Sequence, residues 1–160
     1  MKSNEIVAVE RPLKPSPYDK SHNRKAIGEC SEAMITARLV ALGYNVLKPY
    51  GDNLRYDLVI EDADRHLWRI QCKTGHLEPD EATINFSASS SYAHTRTGQA
   101  GQAHKNYQGQ IDYFAVYCPA TNGMYLIPID CIQGNEGSLR LKPTASGRER
   151  NMRWAKDYEL

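Results

Sequence analysis

Asp57 interrupts an otherwise apolar run, Tyr56-Asp57-Leu58-Val59-Ile60. A carboxylate in such a strand is costly to bury unless it meets a partner or a metal ion. His66 to Thr74 reads as the strand that returns beside it in a hairpin, across the Asp62-Ala63-Asp64 turn. Strand side chains alternate between faces, so Gln71 and Lys73 project together, about 6–7 Å apart at ~3.3 Å per residue. On the first strand Tyr56, Leu58 and Ile60 are expected to share a face, and Asp57 to project with Val59. Lys73 and Asp57 are then candidates to converge across the hairpin. A plain cross-strand ion pair, at about 0.2–1 kcal/mol, accounts for those two residues equally well. A predicted helix supplies a further acid. Glu32 lies three residues before Ile35 and seven before Leu39, on the margin of the apolar stripe, turned toward the sheet. Glu29, on the adjacent turn, is its rival.

These four residues have a joint chemical meaning. Hard divalent cations such as Mg²⁺ take oxygen ligands in octahedral geometry. Asp57, the side-chain carbonyl of Gln71, the backbone carbonyl of Cys72 and waters can supply them, and Glu32 can hold a ligand water or a second ion. Lys73 is a point charge beside that site, able to orient an attacking water or to stabilise a pentavalent phosphate. Such a site hydrolyses a phosphodiester by in-line attack. Zinc is the competing metal, but His66, Cys72, His76, Cys118 and Cys131 lack the close-spaced pairs of a structural zinc site.

The elements that must position these groups are legible from periodicity. Ala33, Ala37, Val40 and Ala41 recur at helical spacing within residues 24–42, widened by Ile35, Leu39 and Leu42, and Gly43 is a natural stop. Short strands are expected at 45–48, 56–60, 66–74, 82–87, 112–118, 124–129 and 138–142. Thr121-Asn122-Gly123 supplies a hairpin signal. Residues 1–23 form a Pro-containing tail, with Pro12, Pro15 and Pro17 disfavouring helix and strand. Residues 88–109, rich in Ser, Gly, Gln and His, read as a long basic loop. One helix, several strands and a hairpin point to a mixed α/β or α+β single domain.

The chain has 160 residues, 41% hydrophobic and 24% charged, which fits one globular domain and excludes collagen-like and wholly disordered classes. No apolar stretch approaches the ~20 residues of a membrane span. The first residues lack the apolar core of a secretory signal, and four scattered cysteines suggest free thiols in a reducing cytoplasm. The net charge of +1 is low for a nucleic-acid binder, so the distribution matters more. Arg140, Lys142, Arg148, Arg150 and Arg153 cluster near the end, and His94, Arg96, His104 and Lys105 lie in the expected loop. Asp52, Asp57, Glu61, Asp62 and Asp64 cluster between these basic stretches. Ordinary solvated loops are the alternative to a metal site beside a phosphate-binding surface. Tyr92 and Tyr107 flank the loop and are candidates to stack on bases or pack on a duplex backbone. Tyr113 and Tyr117 read as core.

Arg55-Tyr56-Asp57-Leu58-Val59-Ile60 followed by Ile70-Gln71-Cys72-Lys73-Thr74-Gly75 resembles the PD-(D/E)XK nuclease superfamily. Gly28-Glu29-Cys30-Ser31-Glu32 is similar to its acidic helix. Gly51 to Asp57, Gly109 to Phe114, and Arg153 to Tyr158 resemble a small branch that includes a group I intron-encoded homing endonuclease. The likeness covers roughly residues 24–160 and leaves the tail outside. Two departures stand out: Gln71 replaces the usual Asp or Glu, and Tyr56 stands where the motif's name has proline.

The resemblance implies a restriction-endonuclease-like αβββαβ core. It implies Mg²⁺-dependent (Mn²⁺-tolerant) cleavage of double-stranded DNA by a homodimer or homotetramer, in a bacterial, phage or mobile-element setting. Asp57, Gln71, Lys73 and Glu32 take the catalytic roles, and Asp57, Gln71, Glu32 and Cys72 the metal. His94, Arg96, Lys105, Tyr107, Arg148 and Arg150 are the expected DNA contacts. Site-specific, homing-type cleavage is the leading expectation. A resolvase acting on branched DNA and a catalytically impaired DNA-binding module of the same fold are the alternatives.

Overall fold

The computed structural model describes residues 15–20, 23–51, 53–96, 99–144, 147 and 152–160, without the side chains of 20 and 91–104. Two helices, α1 (Pro17–Lys20) and α2 (Arg24–Ala41), precede three strands, β1 (Asn45–Leu47), β2 (Leu58–Glu61) and β3 (Leu67–Thr74). Then follow β4 (His76–Leu77), β5 (Thr83–Ser87), β6 (Ser90–Arg96) and β7 (Gln99–Lys105). The last strands are β8 (Tyr113–Cys118), β9 (Gly123–Pro128) and β10 (Glu136–Arg140).

Five strands form a mixed sheet in the order β1-β2-β3-β8-β9, in which β3 and β8 alone run parallel. Helix α2 covers one face. Ile35 and Leu39 pack there on Leu58, Ile60, Ile70, Cys72 and Ala115. A three-stranded sheet, β10-β5-β4, covers the other face. Its Ile84, Phe86 and Leu139 meet Phe114, Val116 and Ile127. Central β8 is thus sandwiched, and Phe114 to Cys118 are all buried, as a parallel strand with two covered faces requires. Tyr117 is in the helix-side core and Tyr113 packs against it, as expected. This is the mixed α/β single domain that the sequence leads one to expect. Among the described residues no helix lies between β3 and β8, where the αβββαβ pattern has its second; β4 to β7 take that position.

Helix α2 starts and stops where local chemistry dictates. The Asn23 side chain accepts from Ala26 N at 3.2 Å. At the other end Gly43, at φ 91°, donates to Val40 O, and Tyr44 N reaches back to Leu39 O. That pair of bonds is a Schellman stop, which a residue with a Cβ resists. The phase of the buried stripe differs from the expected one. Ser31, Ile35 and Leu39 are buried, whereas Ala33, Ala37, Val40 and Ala41 are exposed. The large Ile and Leu side chains set the rotation of the helix, and alanines count for little in that choice.

Three further expectations are corrected. Pro17 does not exclude helix. It occupies the first position of α1, where no N–H is needed, between Ser16 and Asp19 that cap one another: Tyr18 N donates to Ser16 Oγ and Ser16 N to Asp19 Oδ2. Residues 88–109 are not a loop, because β6 and β7 pair antiparallel over seven residue pairs from Ser90↔Lys105 to Arg96↔Gln99. Their small and polar residues have low strand propensity, so composition hides the hairpin. Tyr56 leaves the alternation of β2. It packs against the core between the two sheets, while Leu58 and Ile60 face the helix. Regular pairing in β2 begins only at Leu58, so alternation does not extend back to Tyr56.

Candidate active site

The site forms where β2 ends before β3 does. The first pair of the two strands is Leu58↔Ile70. Beyond it Asp57 N donates to Ile70 O at 2.9 Å, and Cys72, two residues along β3, has no residue of β2 opposite it. The Asp57 side chain fills that gap. Its Oδ2 accepts from Cys72 N at 2.8 Å and from Gln71 Nε2 at 2.6 Å. The Gln71 amide also lies 3.4 Å from Cys72 O. Burial pushes the Asp57 carboxyl above its ordinary range; the Cys72 N–H pulls it down, the Glu32 charge pushes it up, and Lys73 and Lys48 lower it. The Cys72 side chain points to the opposite face, and burial pushes its thiol well up, so only its backbone faces the site.

Lys73 shares the face of Gln71, as alternation requires, yet it forms no ion pair with Asp57 among the described residues. Its ammonium instead donates to Tyr107 Oη at 3.1 Å and lies 3.4 Å from Ser89 O. Immediately after Thr74 the chain passes Gly75, where a Cβ would come within 2.8 Å of Ile84 and 3.0 Å of Val116. Only glycine lets β3 turn this closely onto the second sheet.

Glu32 comes from α2. Its carboxylate meets Lys48 Nζ at 2.6 Å, with the Glu32 side chain 22% exposed. That contact raises the Lys48 pKa, with a smaller push from Asp57. Glu29 pairs instead with Lys25 at 3.8 Å and is 66% exposed, so Glu32 is the acid that acts on Asp57. A cleft of about 440 Å³ opens here, lined by Glu29, Glu32, Lys48, Tyr56 and Asp57 among others.

A profile of PD-(D/E)XK endonucleases matches residues 22–160. The chain belongs to the PD-(D/E)XK endonuclease family. No curated protein matches it. Among solved structures it is similar to a bacterial homing endonuclease, I-Ssp6803I, at 23% identity and a TM-score of 0.66, over 86% of this chain and 88% of that one. At that identity the likeness shows the shared fold.

Endonucleases of this family generally use divalent metal ions. The donors present fit such an ion. The NH₂ group of Gln71, a partly positive group, contacts both Asp57 Oδ2 and Cys72 O, so this spot already favours positive charge. Turning that amide over would present its oxygen instead. All of these donors are hard oxygens, the preference of Mg²⁺ or Mn²⁺. Among the described residues no three His, Cys, Asp or Glu side chains gather as a metal cluster. A metal held here would take part of its ligand set from a backbone carbonyl and a neutral amide.

The expected DNA contacts fare unevenly in this endonuclease. Lys105 is exposed at the end of β7. His94 and Arg96 lie on β6, opposite Gly101 and Gln99. The side chains of both lie outside the described residues, as do Arg148 and Arg150 entirely. Tyr107 is a correction: it is buried, packs edge-on to Phe114, and cannot stack on a base. Part of the basic cluster is structural. Arg153 donates to Cys131 O and Ser138 O, and Arg140 to Lys142 O and Thr83 Oγ1. Sequence analysis missed Lys48 and Arg55 as site residues. The signal for Arg55 was its place two residues before Asp57; Lys48 carried none before β1 was placed.

No described helix is long and apolar enough to cross a membrane.

Proposed function

We propose that this protein is a Mg²⁺-dependent endonuclease that cuts duplex DNA at specific sites, in the manner of a homing enzyme, with Mn²⁺ able to replace Mg²⁺. The observation that carries it is the meeting of Asp57, Gln71 and the Cys72 carbonyl at the end of β2, with Lys73 on the same face as Gln71. A bound cation would supply Lewis-acid polarisation of the scissile phosphate.

The chain's own groups do the rest. Asp57, Gln71 and the Cys72 carbonyl would hold the cation. The Lys73 ammonium, kept in place by Tyr107 and Ser89, offsets charge that builds on the phosphate and orients the attacking water. Glu32, held in place by its ion pair with Lys48, accepts a water proton on the helix side. One such site cuts one strand, so a homodimer or homotetramer supplies the second cut. Lys105, with His94, Arg96, Arg148 and Arg150, supplies phosphate contacts.

The test is plasmid cleavage with Mg²⁺ by wild type, Asp57→Ala and Lys73→Ala. Cutting that requires metal and is lost in both variants supports the proposal. Cutting that survives in both would refute the site, and no cutting by wild type on any duplex would leave a DNA-binding module.

A further inference from the structure

The base of the β6–β7 hairpin is held by one side chain. Arg55 Nε donates to Gln110 Oε1 at 2.6 Å, and one terminal nitrogen to Ser90 Oγ at 2.5 Å. The other terminal nitrogen donates to Lys105 O at 3.2 Å and Asn106 O at 3.0 Å. Ser90 and Lys105 are the first pair of the hairpin, so the guanidinium bonds to both of its strands where they leave the domain.

The same guanidinium lies over the Tyr107 ring, 4.2 Å from its centre. The Tyr107 hydroxyl accepts from Lys73 Nζ, which also touches Ser89 O, one residue before the hairpin begins. The chain of contact is therefore hairpin base, Arg55, Tyr107, Lys73. Every link is a hydrogen bond or a cation–aromatic contact, and the ring is fixed from the side by Phe114.

We infer that Arg55 and Tyr107 are positioning residues which tie the seating of the β6–β7 hairpin to the location of the Lys73 ammonium. This rests on the endonuclease reading for the role given to Lys73. Arg55 suits the task because its planar fork satisfies four acceptors at once, which a lysine cannot do. A hairpin pushed by a duplex shifts the fork, and the fork shifts the ring that holds Lys73.

The full chain is tested in three variants. Tyr107→Phe keeps the ring and its packing and removes only the hydroxyl. It is expected to slow single-turnover cleavage by about 10- to 100-fold while duplex Kd stays within about twofold. Arg55→Lys keeps the charge and loses the fork. It is expected to show a similar rate loss and faster amide exchange across 90–105, with exchange in β8 and β9 unchanged. The double variant should be no slower than the slower single one, because both act on one link. An unchanged rate in Tyr107→Phe, a loss lying wholly in Kd, or multiplying losses in the double variant would overturn the inference. If wild type does not cut, the endonuclease reading fails on its own. Hairpin exchange then decides the brace: acceleration in Arg55→Lys supports it, and no change overturns it.

Discussion

Gln71 donates to Asp57 Oδ2 at 2.6 Å, so a neutral amide stands directly against the buried acid of the site. An amide can make that contact at neutral pH and a second carboxylate cannot, because two negative charges at that distance repel. Gln71→Glu is expected to lower the melting temperature in chelator, where one of the two acids must take up a proton. Added Mg²⁺ should raise it by more than in wild type, since the site gains a charge. A thermal melt with and without metal checks this, and an equal metal response in both proteins would count against these residues as ligands.

Glu32 is predicted to matter for rate far more than for stability. Its bond to Lys48 joins a largely exposed lysine, 73% accessible, and such pairs contribute at most about 1 kcal/mol. Glu32→Gln should therefore leave the melting temperature nearly unchanged while cutting the single-turnover rate by at least about 100-fold. Parallel melting and quench-flow measurements separate the two effects.

Ser31 is a buried hydroxyl on α2, bonded to Thr74 Oγ1 at 2.6 Å and to Tyr18 Oη at 3.0 Å. It links α1 and α2 to the residue after Lys73. Ser31→Ala is expected to destabilise by about 1–3 kcal/mol, because two hydroxyls lose a partner inside the fold. Burial and the neighbouring Cys30 raise the Tyr18 phenol to about 12. Spectrophotometric titration should accordingly show Tyr18 ionising late, with Tyr125 and Tyr158 also raised by burial, and in Ser31→Ala, which removes a hydrogen bond that lowers it, Tyr18 should ionise later still.

Asp112 binds Arg69 through both carboxylate oxygens and also accepts from Arg69 N at 2.7 Å. Arg69 holds the Asp112 carboxyl below its ordinary range. A depressed folded pKa means that the stabilisation is complete above the unfolded value, about 3.9, and vanishes as pH falls through the folded one. Asp112→Asn should cost about 1–2 kcal/mol at pH 7, the pair being partly exposed. Urea titrations at descending pH should show the gap from wild type closing below about pH 4.

The β2–β3 strand pair was legible because Ile70 to Lys73 alternate between buried and half-buried positions, as a period of two encodes. Asp57 was legible as an acid in an apolar run. Its true partner was not, since the choice between Lys73 and Gln71 depends on where β2 ends, and that is set by register. Tyr107 looked like a surface aromatic because its neighbours are polar. Its burial comes from Phe114 on β8 and from Arg55, the latter distant in sequence. The β6–β7 hairpin escaped notice for a related reason: its stability rests on Arg55 and on pairing, and its composition carries neither.

The parallel pairing of β3 with β8 has a consequence for how the molecule comes into being. Arg69 and Asp112, at the start of that pairing, are 43 residues apart in the chain. Closing so long a segment is entropically slow compared with zipping the β1–β2–β3 meander. During synthesis the strand bearing Gln71 and Lys73 therefore waits with one side bare until residues 113–118 have left the ribosome. Tyr107, the support of Lys73, emerges only just before them. A half-made chain carries Glu32 and Asp57 and still lacks the tyrosine that holds Lys73, so on the proposed mechanism the complete site arrives late and nearly all at once.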